Sequence, residues 1–173
     1  VVSATEGTYV NTISADTLLS NGTPVPHPAV DATLQVRERL IVHKAFDDLT
    51  LDAGDPEGFT TGVAARLPGD TAPFSVRIRN PNTIPLTAVN FVDELPAGLV
   101  LAAPPALSTD CTDGVVNGDP SGRELRLRGA TLGAVGAGDD VCTVSAQVVS
   151  NVPGIYTNEI PGGGVVSAEG IDN

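Results

Sequence analysis

Phe74-Ser75-Val76-Arg77-Ile78-Arg79 places an apolar residue at every second position and a polar one between. Successive side chains of a strand point to opposite sides of its sheet, so this period marks a strand with one face on a core and one in water. Cys142-Thr143-Val144-Ser145-Ala146-Gln147-Val148 repeats the pattern, and Leu125-Arg126-Leu127-Arg128 does so after Arg123-Glu124. No segment sustains an i, i+3, i+4, i+7 apolar pattern for three turns. The fold class expected is therefore all-β, an antiparallel sandwich whose strands each bury one face.

Other strands are placed around these. Alternation runs cleanly from Val30 to Val36 and changes phase at Arg39-Leu40-Ile41-Val42, which predicts one strand ending and another beginning in a different sheet. Leu86 to Val92 and Leu99 to Ala103 flank Glu94-Leu95-Pro96-Ala97-Gly98, a turn with Pro and Gly suitably placed. Asn117-Gly118 after Val115-Val116 predicts a tight turn, since Asn-Gly readily takes positive φ. The 19 glycines and 14 prolines fall between short apolar stretches as turn punctuation.

Composition narrows the function. Hydrophobic residues make up 41% but aromatics only 3%, with no Trp or Met, so the core is aliphatic. Nine basic residues against 21 acidic ones give a formal charge of −12, which repels phosphate backbones and anionic bilayers; nucleic acid is not an expected partner. No run of 18 apolar residues exists, so no transmembrane helix is expected. The start at Val1 is what a processed or excised piece would show. No Gly-x-Ser-x-Gly elbow is present, Gly162-Gly163-Gly164 opens no helix that could cradle phosphate, and no catalytic residues are assigned. The chain is not expected to be an enzyme.

The two ends of the chain resemble each other. Val1-Val2-Ser3 recurs as Val148-Val149-Ser150, and Gly7, Tyr9, Asn11 and Ile13 recur at the same offset of 147 as Gly154, Tyr156, Asn158 and Ile160. Seven of the first 13 positions match without a gap, and they include both tyrosines of the chain. Leu18-Leu19-Ser20 then meets Val165-Val166-Ser167. A tandem array cut inside a repeat has this form. Residues 1–36 are read as the terminal strands of a preceding repeat, or a donor-strand segment, and residues 37–173 as a sandwich repeat lacking its own last strand. The missing strand should resemble Ala32-Thr33-Leu34-Gln35-Val36. The gap is expected to be filled by Val30, Ala32, Leu34 and Val36 of another copy, or by sequence outside this chain, because an unclosed edge exposes core and unpaired backbone groups.

Asn80-Pro81-Asn82, Phe91-Val92-Asp93-Glu94-Leu95-Pro96-Ala97-Gly98-Leu99, Cys111, Cys142-Thr143-Val144 and Gly154-Ile155-Tyr156-Thr157-Asn158-Glu159-Ile160 occur in this order. The ordered set resembles the Ig-like repeats of large bacterial surface and secreted proteins, the conserved-repeat or DUF11-like group, over about residues 40 to 160. Lys44-Ala45-Phe46 resembles the start of the first strand in such units. The resemblance implies a Greek-key, Ig-like sandwich at the cell surface or outside the cell, working as a structural repeat of a filament, stalk or surface-layer assembly. Its partners would be other copies of itself or neighbouring repeats. The alternative is an adhesin-type module that recognises glycan or protein through its loops, against which the scarcity of aromatics counts.

An extracellular setting makes a Cys111–Cys142 disulfide the expected state, with two free buried thiols as the alternative in a reducing compartment. No cofactor is expected. Asp47, Asp48, Asp52, Asp55 and Glu57, and again Asp139-Asp140, could offer oxygens to calcium, but their spacing is not that of an EF-hand loop. Solvated turns are the plainer reading. Some surface sandwiches crosslink a first-strand lysine to an Asn with a carboxylate promoting the reaction. Lys44, the chain's only lysine, could take that role with Asn158 or Asn90 and Asp93, although an exposed or ion-paired lysine is the ordinary expectation. His27 and His43 have no partner at zinc-ligand spacing, and Asn21-Gly22-Thr23 is a formal glycosylation sequon in a turn.

Overall fold

The computed structural model describes residues 5–46 and 65–173. Among them every regular element is a strand, and no helix is long and apolar enough to cross a membrane. The chain divides into two units, Val1–Glu38 and Arg39–Asn173.

The first unit is a pair of antiparallel ribbons. Strand β1 (Gly7–Ile13) pairs with β4 (Val30–Val36), Tyr9 opposite Leu34 and Asn11 opposite Ala32. Between them β2 (Leu19–Ser20) pairs with β3 (Thr23–Pro24). The turn is organised by His27, whose Nε2 accepts from the Thr17 and Leu18 N–H groups while Nδ1 lies 2.7 Å from the Pro28 carbonyl. Tyr9, Val10, Ile13, Leu18, Leu19, Val30 and Leu34 are all exposed, and among the described residues none of the buried core belongs to this unit.

The second unit is a two-sheet sandwich. Its strands are β5 (Ile41–Phe46), β6 (Thr71–Arg79), β7 (Leu86–Glu94), β8 (Val100–Leu101), β9 (Ser108–Thr109), β10 (Val115–Asn117), β11 (Glu124–Leu132), β12 (Val141–Val149) and β13 (Val165–Val166). One sheet runs β5-β6-β12-β8, with β9 also on β12; the other runs β10-β11-β7-β13. All pairs are antiparallel. The fold is thus the all-β antiparallel sandwich expected of the alternating pattern.

Alternation fixes which side chains meet. Ala72, Phe74, Val76 and Ile78 of β6 and Cys142, Val144, Ala146 and Val148 of β12 point inward. They meet Leu86, Val89 and Phe91 of β7 and Leu125, Leu127, Ala130 and Leu132 of β11. Removing this aliphatic surface from water is the main stabilising term of the sandwich. Two phase changes adjust the second sheet: Ala88 takes φ 46° in β7, and Gly129 takes φ 70° where the β11 register shifts between Leu127 and Ala130.

The Asn80-Pro81-Asn82 corner between β6 and β7 is a buried polar knot. Asn80 Nδ2 donates to the Ile84 and Gly133 carbonyls, while its Oδ1 accepts from the Asn82 backbone and side-chain N–H groups. Both asparagines are fully buried and satisfied. The phase change after Val36 does separate two strands in different sheets. The expected Asn117-Gly118 tight turn is not there. Asn117 ends β10, and the chain reverses at Asp119–Gly122, where the Gly122 N–H donates to the Asp119 carbonyl and Ser121 takes φ 61°. Gly118 serves close packing instead, since a Cβ there would lie 2.5 Å from Leu101 Cδ1.

Candidate functional site

On β5, Val42 and Phe46 pack against the core, and the period of two turns Lys44 between them to the same side. On β7, in the opposite sheet, Val89 and Phe91 point inward and Asp93 continues their phase. Two ionisable side chains thus stand at core positions of facing sheets. Lys44 Nζ donates to Asp93 Oδ1 at 2.8 Å; the lysine side chain is 13% exposed and the aspartate 0%. Nζ also lies 5.5 Å from the centre of the Phe74 ring, itself 5.3 Å from that of Phe46.

The third member comes from the segment after β12. Residues 155–160 alternate in burial, with Tyr156, Asn158 and Ile160 half-buried and Ile155, Thr157 and Glu159 exposed. Asn158 Nδ2 donates to Asp93 Oδ2 at 2.9 Å. Each carboxylate oxygen of Asp93 therefore holds one nitrogen, the amine of Lys44 or the carboxamide of Asn158. Asn158 Oδ1 is buried with no hydrogen-bond partner among the described residues, an unusual state for a buried amide. Burial pushes the Lys44 ammonium below the ordinary lysine range, outweighing the neighbouring Asp93 and Glu159 carboxylates that raise it.

Of the two asparagines considered from sequence, the fold brings Asn158 to Asp93. Asn90 instead donates to the Ala88 carbonyl and accepts from the Gly129 N–H, bracing the two phase changes. Lys44 is ion-paired, but it is not an exposed lysine. Two signals for its burial stood in the sequence: Val42-x-Lys44-x-Phe46 and Val89-x-Phe91-x-Asp93 carry charges in core phase.

Tyr156 anchors the same segment. Its ring covers Gly98, and its hydroxyl donates to the Val152 carbonyl at 2.7 Å and accepts from Ser150 Oγ at 2.9 Å. The repeat partner Tyr9 donates likewise to the carbonyl four residues back, that of Thr5, at 3.1 Å. Gly7 and Gly154 lie under their respective rings at the same 3.3 Å from a would-be Cβ. The duplication is thus one of conformation as well as sequence. It departs in pairing: β1 has β4 as its ladder partner, whereas 155–160 lies in no ladder among the described residues.

Cys111 and Cys142 form a disulfide across 31 residues. Asp110 lies beside it, but a disulfide offers no thiolate to a metal, and Asp110 Oδ1 instead accepts from the Thr143 N–H. Asp47, Asp48, Asp52, Asp55 and Glu57 lie outside the described residues. Asp139 and Asp140 cap a turn: the Asp139 carbonyl accepts from Gly133 N–H, and Asp140 Oδ2 from Gly136 N–H. Val30, Ala32, Leu34 and Val36 lie on β4 and pair with β1 of their own unit.

Two antiparallel sheets with an aliphatic core and a disulfide define an all-β sandwich domain. The chain belongs to the domain family of unknown function DUF7933, which matches residues 41–173. No curated protein matches it. Among solved structures it is similar to the pilus backbone (RrgB) from Streptococcus pneumoniae, with a TM-score of 0.41 and 13% identity over 65% of this chain. The chain spans about a quarter of that structure, 27% of its length.

Proposed function

We propose that the chain is a structural repeat of an extracellular filament, stalk or surface-layer assembly, of the kind that the conserved-repeat (DUF11-like) group builds. Units join by β-strand pairing, either between copies or along a tandem array. The observation that carries this reading is the unequal pairing of the duplicated segments. Gly7–Ile13 and Gly154–Ile160 share residues and a tyrosine anchor, but among the described residues only the first has a partner strand. A strand like Val30–Val36 laid along 155–160 would satisfy the backbone there. The first unit supports the same reading from the other side. Leu18 is 52% exposed, whereas its repeat partner Val165 is 0% exposed between β7 and the core. The disulfide supports an oxidising, extracellular location. In this role the work is mechanical, and the partners are other copies or neighbouring repeats.

Analytical ultracentrifugation and negative-stain microscopy over a concentration series test it. Head-to-tail oligomers are expected, and Ala32→Pro, which disrupts β4, should abolish them. A monomer at every concentration removes pairing between copies. Amide exchange at 155–160 as fast in a longer tandem fragment as in this chain would remove the array version as well.

A further inference from the structure

The geometry points to an intramolecular isopeptide bond between Lys44 Nζ and Asn158 Cγ, formed by the chain itself with Asp93 as proton carrier. An amine and a carboxamide do not exchange in water at any useful rate. Here they are bound to the two oxygens of one buried carboxylate, at 2.8 and 2.9 Å, within the range for proton transfer. Holding reactants together in this way replaces a bimolecular encounter with an effectively unimolecular one.

The steps balance without any added reagent. Lys44 passes a proton from Nζ to Asp93, which the apolar surroundings favour because two opposite charges become two neutral groups. The desolvated, neutral amine is the nucleophile. Asp93 now carries an O–H, and a half-turn of the Asn158 carboxamide lets Oδ1 accept from it. That turn gives the orphaned oxygen a partner and polarises Cγ. The Nζ lone pair adds to Cγ, and Asp93 relays the proton from Nζ to Nδ2. The Cγ–Nδ2 bond breaks and ammonia leaves. As ammonia leaves it takes the proton that Asp93 first accepted from Lys44, so the products are one secondary amide, one ammonium ion and Asp93 as its carboxylate, with no change of oxidation level.

A purely structural ion pair does not account for all of this. It does not require a third group on the second carboxylate oxygen, nor an amide whose carbonyl is buried unpaired. The bond would tie the first strand of the sandwich to the segment that follows β12. The matching Asn11 at the repeat position of Asn158 places the same electrophile in the other copy of the motif.

Intact mass spectrometry of the reduced, folded chain tests the proposal. The mass should fall short of the sequence mass by one ammonia. Digestion with trypsin after reduction should yield Leu40–Arg66 and Gly129–Asn173 as one linked species, with no cleavage after Lys44. Lys44→Met and Asp93→Asn should each restore the full mass, with folding checked by circular dichroism. Succinimides at Asn21-Gly22 or Asn117-Gly118 would also lose ammonia, but that deficit would persist in Lys44→Met, and the linked peptide would be absent. In addition, the denatured wild-type chain should take up no lysine-borne acyl label. A full-mass wild-type protein that is folded, cleaved after Lys44 and labelled there would overturn the proposal.

Discussion

Lys44 reaches from β5 of one sheet to Asp93 on β7 of the other at 2.8 Å, with Nζ 5.5 Å from the centre of the Phe74 ring. A charge pair so placed is costly to bury and costlier to break, because removing one partner strands the other.

Asp93→Ala made in the Asn158→Ala background, where Lys44 remains a free amine, is expected to lower stability relative to that background by about 3–5 kcal/mol, the usual cost of orphaning a buried charge. Urea denaturation followed by intrinsic fluorescence of the tyrosines checks this. A loss under about 1 kcal/mol would mean that the pair is solvated in solution.

Stability should rise with pH in the alkaline range wherever Lys44 remains a free amine, as in Asn158→Ala. Burial lowers its folded pKa, so the unfolded chain binds more protons between that lowered value and the ordinary 10.5. Where the unfolded state binds more protons, stability increases with pH, and below the folded pKa the contribution is flat. The charges of Asp93 and Glu159 oppose the shift without cancelling it. Melting temperatures of Asn158→Ala and Asn158→Ala/Lys44→Met across this range should diverge in that sense.

Gly98→Ala should destabilise by about 1–3 kcal/mol through backbone strain and a clash. Gly98 has φ +93°, and a Cβ would lie 2.9 Å from Tyr156 Cε1. Gly136→Ala is the control: its φ is +81°, but open space surrounds it, so only the backbone term applies. Thermal melts of both variants should rank them in that order.

Replacing both cysteines by alanine should cost about 3–4 kcal/mol, the chain-entropy value for a loop of this length. The loop closed is 31 residues. Equilibrium unfolding of wild type with and without reductant should show a shift of the same size.

Asn80→Ala should cost about 2–3 kcal/mol, since it removes the buried donor to the Ile84 and Gly133 carbonyls and the acceptor of the Asn82 N–H groups. Asn80→Asp keeps the acceptor but loses both donated bonds, and should fall between alanine and wild type.

The fold was readable wherever a strand follows simple alternation. Phe74–Arg79 and Cys142–Val148 are β6 and β12 almost as quoted. It was misread where glycine had two possible uses. Gly118 looked like a turn residue, but Leu101 packs where its side chain would be. Lys44, Asp93 and Asn158 were singled out together from sequence, yet Asn90 was an equal candidate. A shift of one residue in phase separates an inward from an outward asparagine, and Ala88, with φ 46°, sets that phase within β7.

Alternation, aliphatic composition and the 147-residue duplication are properties of the chain alone, and they determined an all-β sandwich with a repeated terminal motif. Which groups meet across the sheets was decided only by tertiary structure. Period two says that a side chain faces inward, but the stacking of two sheets decides what it faces. The meeting of an amine, a carboxylate and a carboxamide from three separated segments is therefore a property of packing, which no local pattern encodes.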